Sequence, residues 1–197
     1  FLELRHVLHS HRRLVELANP GGTGPLDTVH LGCCTGSVAC ATALKIQLLC
    51  YQRRVTGHAK VSPSGSGRLW TAGNAPAIIV LDGNYHGTDV LPQYLRGMWP
   101  GYVRNVEVAA VQPNDAGELS AAFERLGSRV AGFWAEPIMM NREAIVLDAS
   151  YLRLARRLCD ASGALMAIDE IQTGFWQPEV FLFRALDVVP DLVIAGK

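Results

Sequence analysis

Short apolar runs recur along the chain, most of them followed by small or polar residues. The runs Ala77-Ile78-Ile79-Val80-Leu81, Val106-Glu107-Val108-Ala109-Ala110-Val111, Val130-Ala131-Gly132-Phe133-Trp134-Ala135, Ala164 to Ile168, and Asp191-Leu192-Val193-Ile194-Ala195 are the length of strands. Near-continuous apolar runs of this length predict strands covered on both faces. Thr28-Val29-His30-Leu31 predicts one more short strand.

Between these runs the apolar period lengthens. Leu4, Val7, Leu8, Leu14 and Leu17 predict a helix over 2–17, ended by Asn19-Pro20-Gly21-Gly22. Proline cannot continue a helix, and glycine favours its exit. Ala41, Leu44, Leu48 and Tyr51 mark one face of a helix over 38–53, and Leu119, Ala122, Phe123 and Leu126 mark another. Leu152, Ala155, Leu158 and Cys159 mark a third, with Asp148 or Ser150 as its cap and Ser162-Gly163 as its stop. Residues 56–76 are polar and glycine-rich and predict a mobile surface loop, and 92–101 predict an irregular connection. Gly65-Ser66-Gly67 lacks the full dinucleotide fingerprint and a preceding strand, which argues against a nucleotide-dependent oxidoreductase. Strands alternating with helices predict one α/β domain with a mostly parallel sheet flanked by helices.

Composition narrows the partners. The chain has 197 residues, 49% of them hydrophobic, with 18 Lys+Arg balanced by 18 Asp+Glu. Without a basic excess, neither nucleic acid nor an anionic membrane is expected as a partner. No apolar run is long enough to span a bilayer, and the N-terminus has no signal-peptide pattern. The five cysteines have neither disulfide-framework nor zinc-site spacing, so most are expected as small buried hydrophobes in a reducing cytoplasm. His9 and His11 are the only close histidine pair, and on a helix they point to different faces. No metal site is expected.

In such folds ligands bind at the carboxyl ends of the strands. Ser37, Tyr85, Glu136, Asp169 and Lys197 all lie just past predicted strand ends. The small-residue turn Gly32-Cys33-Cys34-Thr35-Gly36-Ser37 opens a helix, where free amides of Gly36, Ser37 and Val38 and the Ser37 hydroxyl can hold an anion. Asp169 and Lys197 end two apolar runs. A carboxylate and an amine so placed can hold a pyridine ring between them, as in pyridoxal phosphate enzymes. Desolvation behind a buried strand favours the neutral amine that Schiff-base chemistry needs. Tyr85 can stack on such a ring, His86 can brace it, Gln172 can donate to its phenolic oxygen, and Glu136 offers a further carboxylate. Each residue alone also reads as ordinary: a surface lysine, a turn acid, a packed histidine, a loop glutamine.

Together these motifs give the chain a resemblance to the class III (omega-type) aminotransferases, a fold-type I pyridoxal-phosphate family. Thr35-Gly36-Ser37-Val38-Ala39 resembles the family's phosphate loop, Tyr85-His86-Gly87 its stacking motif, and Glu136-Pro137-Ile138 its acidic strand end. Asp169-Glu170-Ile171-Gln172-Thr173-Gly174-Phe175 is the most specific piece, and Val189-Pro190-Asp191 through Gly196-Lys197 resembles the approach to the Schiff-base lysine. The sequence departs from the family at Val38, where glutamate is usual, and at Trp176-Gln177-Pro178-Glu179, in place of a glycine-arginine-rich turn.

The resemblance implies that residues 1–197 are an incomplete large, cofactor-binding domain, without the family's N-terminal segment and small C-terminal domain. It implies a Schiff base at Lys197, an ion pair from Asp169 to the pyridine nitrogen, stacking by Tyr85, and phosphate held by Gly36, Ser37 and Val38. It further implies transfer of an amino group from an amine or amino acid to an oxo-acid, in a cytoplasmic homodimer with the site near the subunit interface. Two other functions stay open: an aminomutase with the same cofactor, and a non-catalytic binding or assembly subunit.

Overall fold

The computed structural model describes residues 2–19, 21, 24–57, 70, 72–99 and 101–196. The chain begins with helix α1 (Leu2–Ala18) and, after an irregular stretch, the long helix α2 (Gly36–Thr56). Strand β1 (Ala77–Leu81), helix α3 (Val90–Leu95), strand β2 (Glu107–Val111), helix α4 (Ala116–Leu126) and strand β3 (Val130–Ala135) follow. A two-stranded hairpin, β4 (Ile138–Met139) and β5 (Ile145–Val146), precedes helix α5 (Ala149–Ser162). Strand β6 (Leu165–Asp169), the short helix α6 (Leu182–Ala185) and strand β7 (Leu192–Ile194) complete the order.

The five long strands form one parallel sheet in the order β2-β1-β3-β6-β7. Both faces are covered, which explains the unbroken apolar runs. Along β1, Ala77, Ile79 and Leu81 join a core beneath α4 and α5, while Ile78 and Val80 join a second core beneath α2. Met166 and Ile168 of β6 point to the first core and Ala167 to the second. The predicted α4 face is buried as expected. That of α5 also takes in Tyr151, at 3% exposure. Gly163 closes α5 in the left-handed region at φ 69°, a conformation glycine adopts without steric cost. Asp148 stands at the α5 cap position, but its side chain makes no capping bond.

Three sequence expectations are corrected, and one element is added. Thr28–Leu31 is not a strand: among the described residues it pairs with none, and it lines a cavity of about 550 Å³ beside β7. A strand is defined by its neighbour, and four residues of alternating polarity cannot supply one. Of the expected irregular connection 92–101, residues 92–95 belong instead to α3, with Pro92 in the first turn, where a helix has no use for the missing amide. The hairpin β4–β5 was not foreseen, because two residues per strand carry no period. Of the cysteines, Cys40 and Cys159 are buried, Cys33 is half-buried, and Cys34 and Cys50 are exposed. Residues 58–69, most of the predicted glycine-rich loop, and Lys197 lie outside the described residues. So do the side chains of Leu4, Val7 and Leu8.

Candidate functional site

From β1 the chain steps to β2 on one side, then crosses back past β1 to β3 on the other. This reversal opens a crevice at the carboxyl ends of β1 and β3, the usual ligand position in open parallel sheets. A pocket of about 220 Å³ lies there. Its lining includes Gly36, Ser37, Tyr85, His86, Glu136, Asp169 and Gln172. Val38 is the one described site candidate outside that lining.

The α2 terminus forms one wall. Thr35 caps the helix, its side chain accepting from the Val38 amide at 3.2 Å. The Val38 amide is therefore engaged in the cap, and the amides of Gly36 and Ser37 are the first-turn donors left to face an anion. No acidic residue stands in that first turn, so the positive helix end is not neutralised. Ser37 Oγ accepts from the Thr88 amide at 2.9 Å, leaving its hydroxyl hydrogen to donate. Two glycines permit the close approach. A Cβ on Gly36 would sit 2.6 Å from Ile171 Cδ1. Gly87, at φ +108°, would bring a Cβ to 2.1 Å from Ser37 Oγ and 2.9 Å from Ser37 Cα.

Asp169, the last residue of β6 and only 4% exposed, forms the floor. His86 Nδ1 lies 2.8 Å from Asp169 Oδ2, both side chains being buried. Facing a carboxylate, Nδ1 carries the hydrogen. The Ile171 amide donates to Oδ1 at 3.0 Å, and the Cys40 thiol donates to Oδ2 at 3.4 Å. The His86 ring packs on Trp134 with centroids 4.8 Å apart. Its Nε2 is buried and has no hydrogen-bond partner among the described residues. A buried polar atom without a partner costs free energy, and the packing on Trp134 encloses it.

Glu136, at the end of β3, is 4% exposed and accepts from the Tyr85 amide at 2.8 Å. Burial pushes its carboxyl up to about 7, against the opposing pull of His86 and the Tyr85 amide. The ring of Tyr85 is half-buried, with the Arg96 guanidinium 5.6 Å from its centroid. Gln172 is held by Asn141 of the hairpin turn, at 2.9 Å. Glu170, next to Asp169, turns away from the pocket. It is fully buried and accepts from the Thr173 hydroxyl and the Phe183 amide, and burial raises its carboxyl above the usual range. Its amide donates to Ile194 O at 2.7 Å, locking the end of β6 to the end of β7. Beyond β7, Gly196 reaches the pocket lining.

Thus Gly36, Ser37, Tyr85, His86, Glu136, Asp169 and Gln172 come together as expected, from segments up to 136 positions apart. The sequence reading missed the capping role of Thr35, and it missed Asn141 and Cys40. The signal for Cys40 was its position four residues after Gly36, which places it one turn deeper on the same helix face. Chemically, the arrangement offers amide donors for an anion at one end and a buried carboxylate for a cationic ring nitrogen at the other.

Comparison with known proteins places the chain in a family. Ornithine aminotransferase of Emericella nidulans is 34% identical over 137 residues, covering 63% of this chain and 30% of the relative. Glutamate-1-semialdehyde 2,1-aminomutase of Clostridium perfringens is 36% identical over 84 residues, 43% of this chain and 20% of that one. The crystal structure of ornithine aminotransferase from Toxoplasma gondii ME49 superposes with a TM-score of 0.63 at 25% identity, covering 83% of this chain and 36% of that one. The chain therefore spans about a third of the length of the relatives it matches. The family model "Aminotransferase class-III" matches residues 99–197, half of the chain. With that match, and with the motifs before residue 99 joining the same pocket, the chain belongs to the class-III aminotransferases.

Proposed function

We propose that this chain is the main part of the cofactor-binding domain of a pyridoxal 5′-phosphate-dependent aminotransferase. The enzyme moves an amino group from an amine or amino acid to an oxo-acid acceptor. The observation that carries this reading is the Asp169 carboxylate, buried in the same pocket as the open N-terminus of α2. One end suits a protonated pyridine nitrogen and the other a phosphate. The glycines at 36 and 87 let Ile171 and Ser37 pack close enough to bring these two ends into one pocket.

When bound, pyridoxal phosphate supplies an aldehyde for Schiff-base exchange and a ring that accepts electrons. Gly36 and Ser37 would hold the phosphate through amides and a hydroxyl. Asp169 would keep the ring nitrogen protonated, itself oriented by His86 and the Ile171 amide. Tyr85 would cover a ring face, and Gln172, fixed by Asn141, would donate to the phenolic oxygen. Lys197, which follows Gly196 at the pocket lining, would provide the amine and then carry the proton on and off the substrate's α-carbon. Glu136, with a carboxyl near neutrality, would present a neutral or anionic face to the substrate according to pH.

Borohydride reduction of the protein incubated with pyridoxal phosphate, followed by peptide mapping, tests this reading. The label is expected on Lys197; a label elsewhere, or none, sinks it. Aminomutase relatives at 36% identity favour a second reading with the same site. Stoichiometric consumption of an oxo-acid acceptor decides for the transferase. A homodimer and a cytoplasmic setting complete the proposal. The exposed aromatic residues Trp99, Tyr102, Phe175 and Trp176 support the homodimer. No helix of the described residues is long and apolar enough to cross a membrane.

A further inference from the structure

Asp169 is met from several sides. His86 faces it from the loop after β1 and Cys40 from α2, Glu136 lies nearby at the end of β3, and Glu170 is turned into the core. Cys40 is fully buried and lies among ligand-type atoms of His86 and Asp169 that are all within 4.8 Å of one another. A buried thiol in this position has two possible states. Burial, reinforced by the Asp169 carboxylate, pushes its ionisation far above the usual thiol range. The sulfur therefore keeps its hydrogen, and the contact with Asp169 is a donor contact.

We propose that Cys40 is a positioning residue of this site: its S–H, donating to Asp169 Oδ2, shares the carboxylate's charge and so moderates its hold on the proton of the cofactor's ring nitrogen. The inference rests on the pyridoxal-phosphate reading. It goes beyond that reading by assigning a role to a side chain that touches neither cofactor nor substrate. Asp169 Oδ2 accepts from both Cys40 and His86, while Oδ1 accepts the Ile171 amide. Every donor on a carboxylate stabilises its anionic charge and makes it a weaker base. Removing the thiol leaves two donors. The pair of Asp169 and the ring nitrogen then holds its shared proton to higher pH. A thiol is a weak donor, so the effect is roughly threefold to tenfold in the proton equilibrium, the size of one modest hydrogen bond.

Two measurements test it. The first needs no cofactor: the infrared S–H stretch of Cys40, isolated as the difference between wild type and Cys40→Ala. It should lie below the band of the exposed thiols Cys34 and Cys50. A band at the free-thiol frequency overturns the proposal. The second uses nitrogen-15-labelled pyridoxal 5′-phosphate bound to the protein, with the ring nitrogen shift followed against pH. Cys40→Ala should hold the ring proton to higher pH by that factor, and Cys40→Ser, which keeps a donor, should behave like wild type. If Ala and Ser variants shift alike, the residue acts through packing alone and the proposal fails. If wild type shows the lowered S–H band but takes up no pyridoxal phosphate, the functional reading fails and this role falls with it, while the thiol contact stands.

Discussion

At the scale of single residues, Glu136 makes the clearest prediction. Burial raises its carboxyl from 4.5 to about 7, so the folded chain binds this proton more tightly than the unfolded chain. Its contribution to stability is complete below about pH 4.5 and is lost as pH rises toward 7. The slope reaches at most about 1.4 kcal/mol per pH unit. Glu136→Gln keeps an acceptor for the Tyr85 amide but has no proton to lose. Its unfolding free energy, measured by urea at pH 5 and pH 8, should decline less than that of wild type; equal declines would refute the assignment. That Glu136 belongs to the site was legible from its place after an apolar run. Its bond to the Tyr85 amide was not, since the two residues meet only when β1 and β3 pair. Cys40 was read as apolar filler, because a thiol among apolar neighbours carries no mark of what it faces.

At the scale of elements, α2 illustrates how a helix can be recognised while its buried face is misjudged. Apolar spacing picks out Ala41, Leu44, Leu48 and Tyr51, whereas the buried residues are Cys40, Ala43, Leu44, Gln47, Tyr51 and Gln52. The face is rotated because Gln47 belongs inside. It is fully buried, its Oε1 accepts from the Trp134 indole at 2.6 Å, and its Nε2 donates to Leu165 O at 2.8 Å. Its amide fills the notch over Gly132, where an added Cβ would lie 2.2 Å from it. One glutamine thus joins α2 to both β3 and β6, behind the pocket. Gln47→Leu removes both bonds and strands the buried indole N–H, which should destabilise the fold by about 1–3 kcal/mol in denaturant unfolding. A loss under about 0.5 kcal/mol would mean that the amide is mere packing.

At the scale of the whole molecule, cofactor uptake at the proposed pocket would be coupled to global stability. Its walls come from α2, the loop after β1, the end of β3 and the end of β6, so no local segment can bind the ligand without the sheet. Pyridoxal phosphate at a hundred times its dissociation constant should add about 2.7 kcal/mol to the unfolding free energy. Asp169→Asn should reduce that gain at the same concentration. A melting temperature indifferent to pyridoxal phosphate would exclude binding at this pocket. The sequence by itself determined the five strands, the four longer helices, and most of the residues that line the site. Burial on both faces, helical period and strand-end placement are all written in local order. Only the tertiary structure decided that Thr28–Leu31 is no strand, that Gln47 is core, and that Cys40, His86 and Ile171 share one carboxylate. Those facts depend on partners brought together by strand order, and a one-dimensional pattern has no term for a partner 129 residues away.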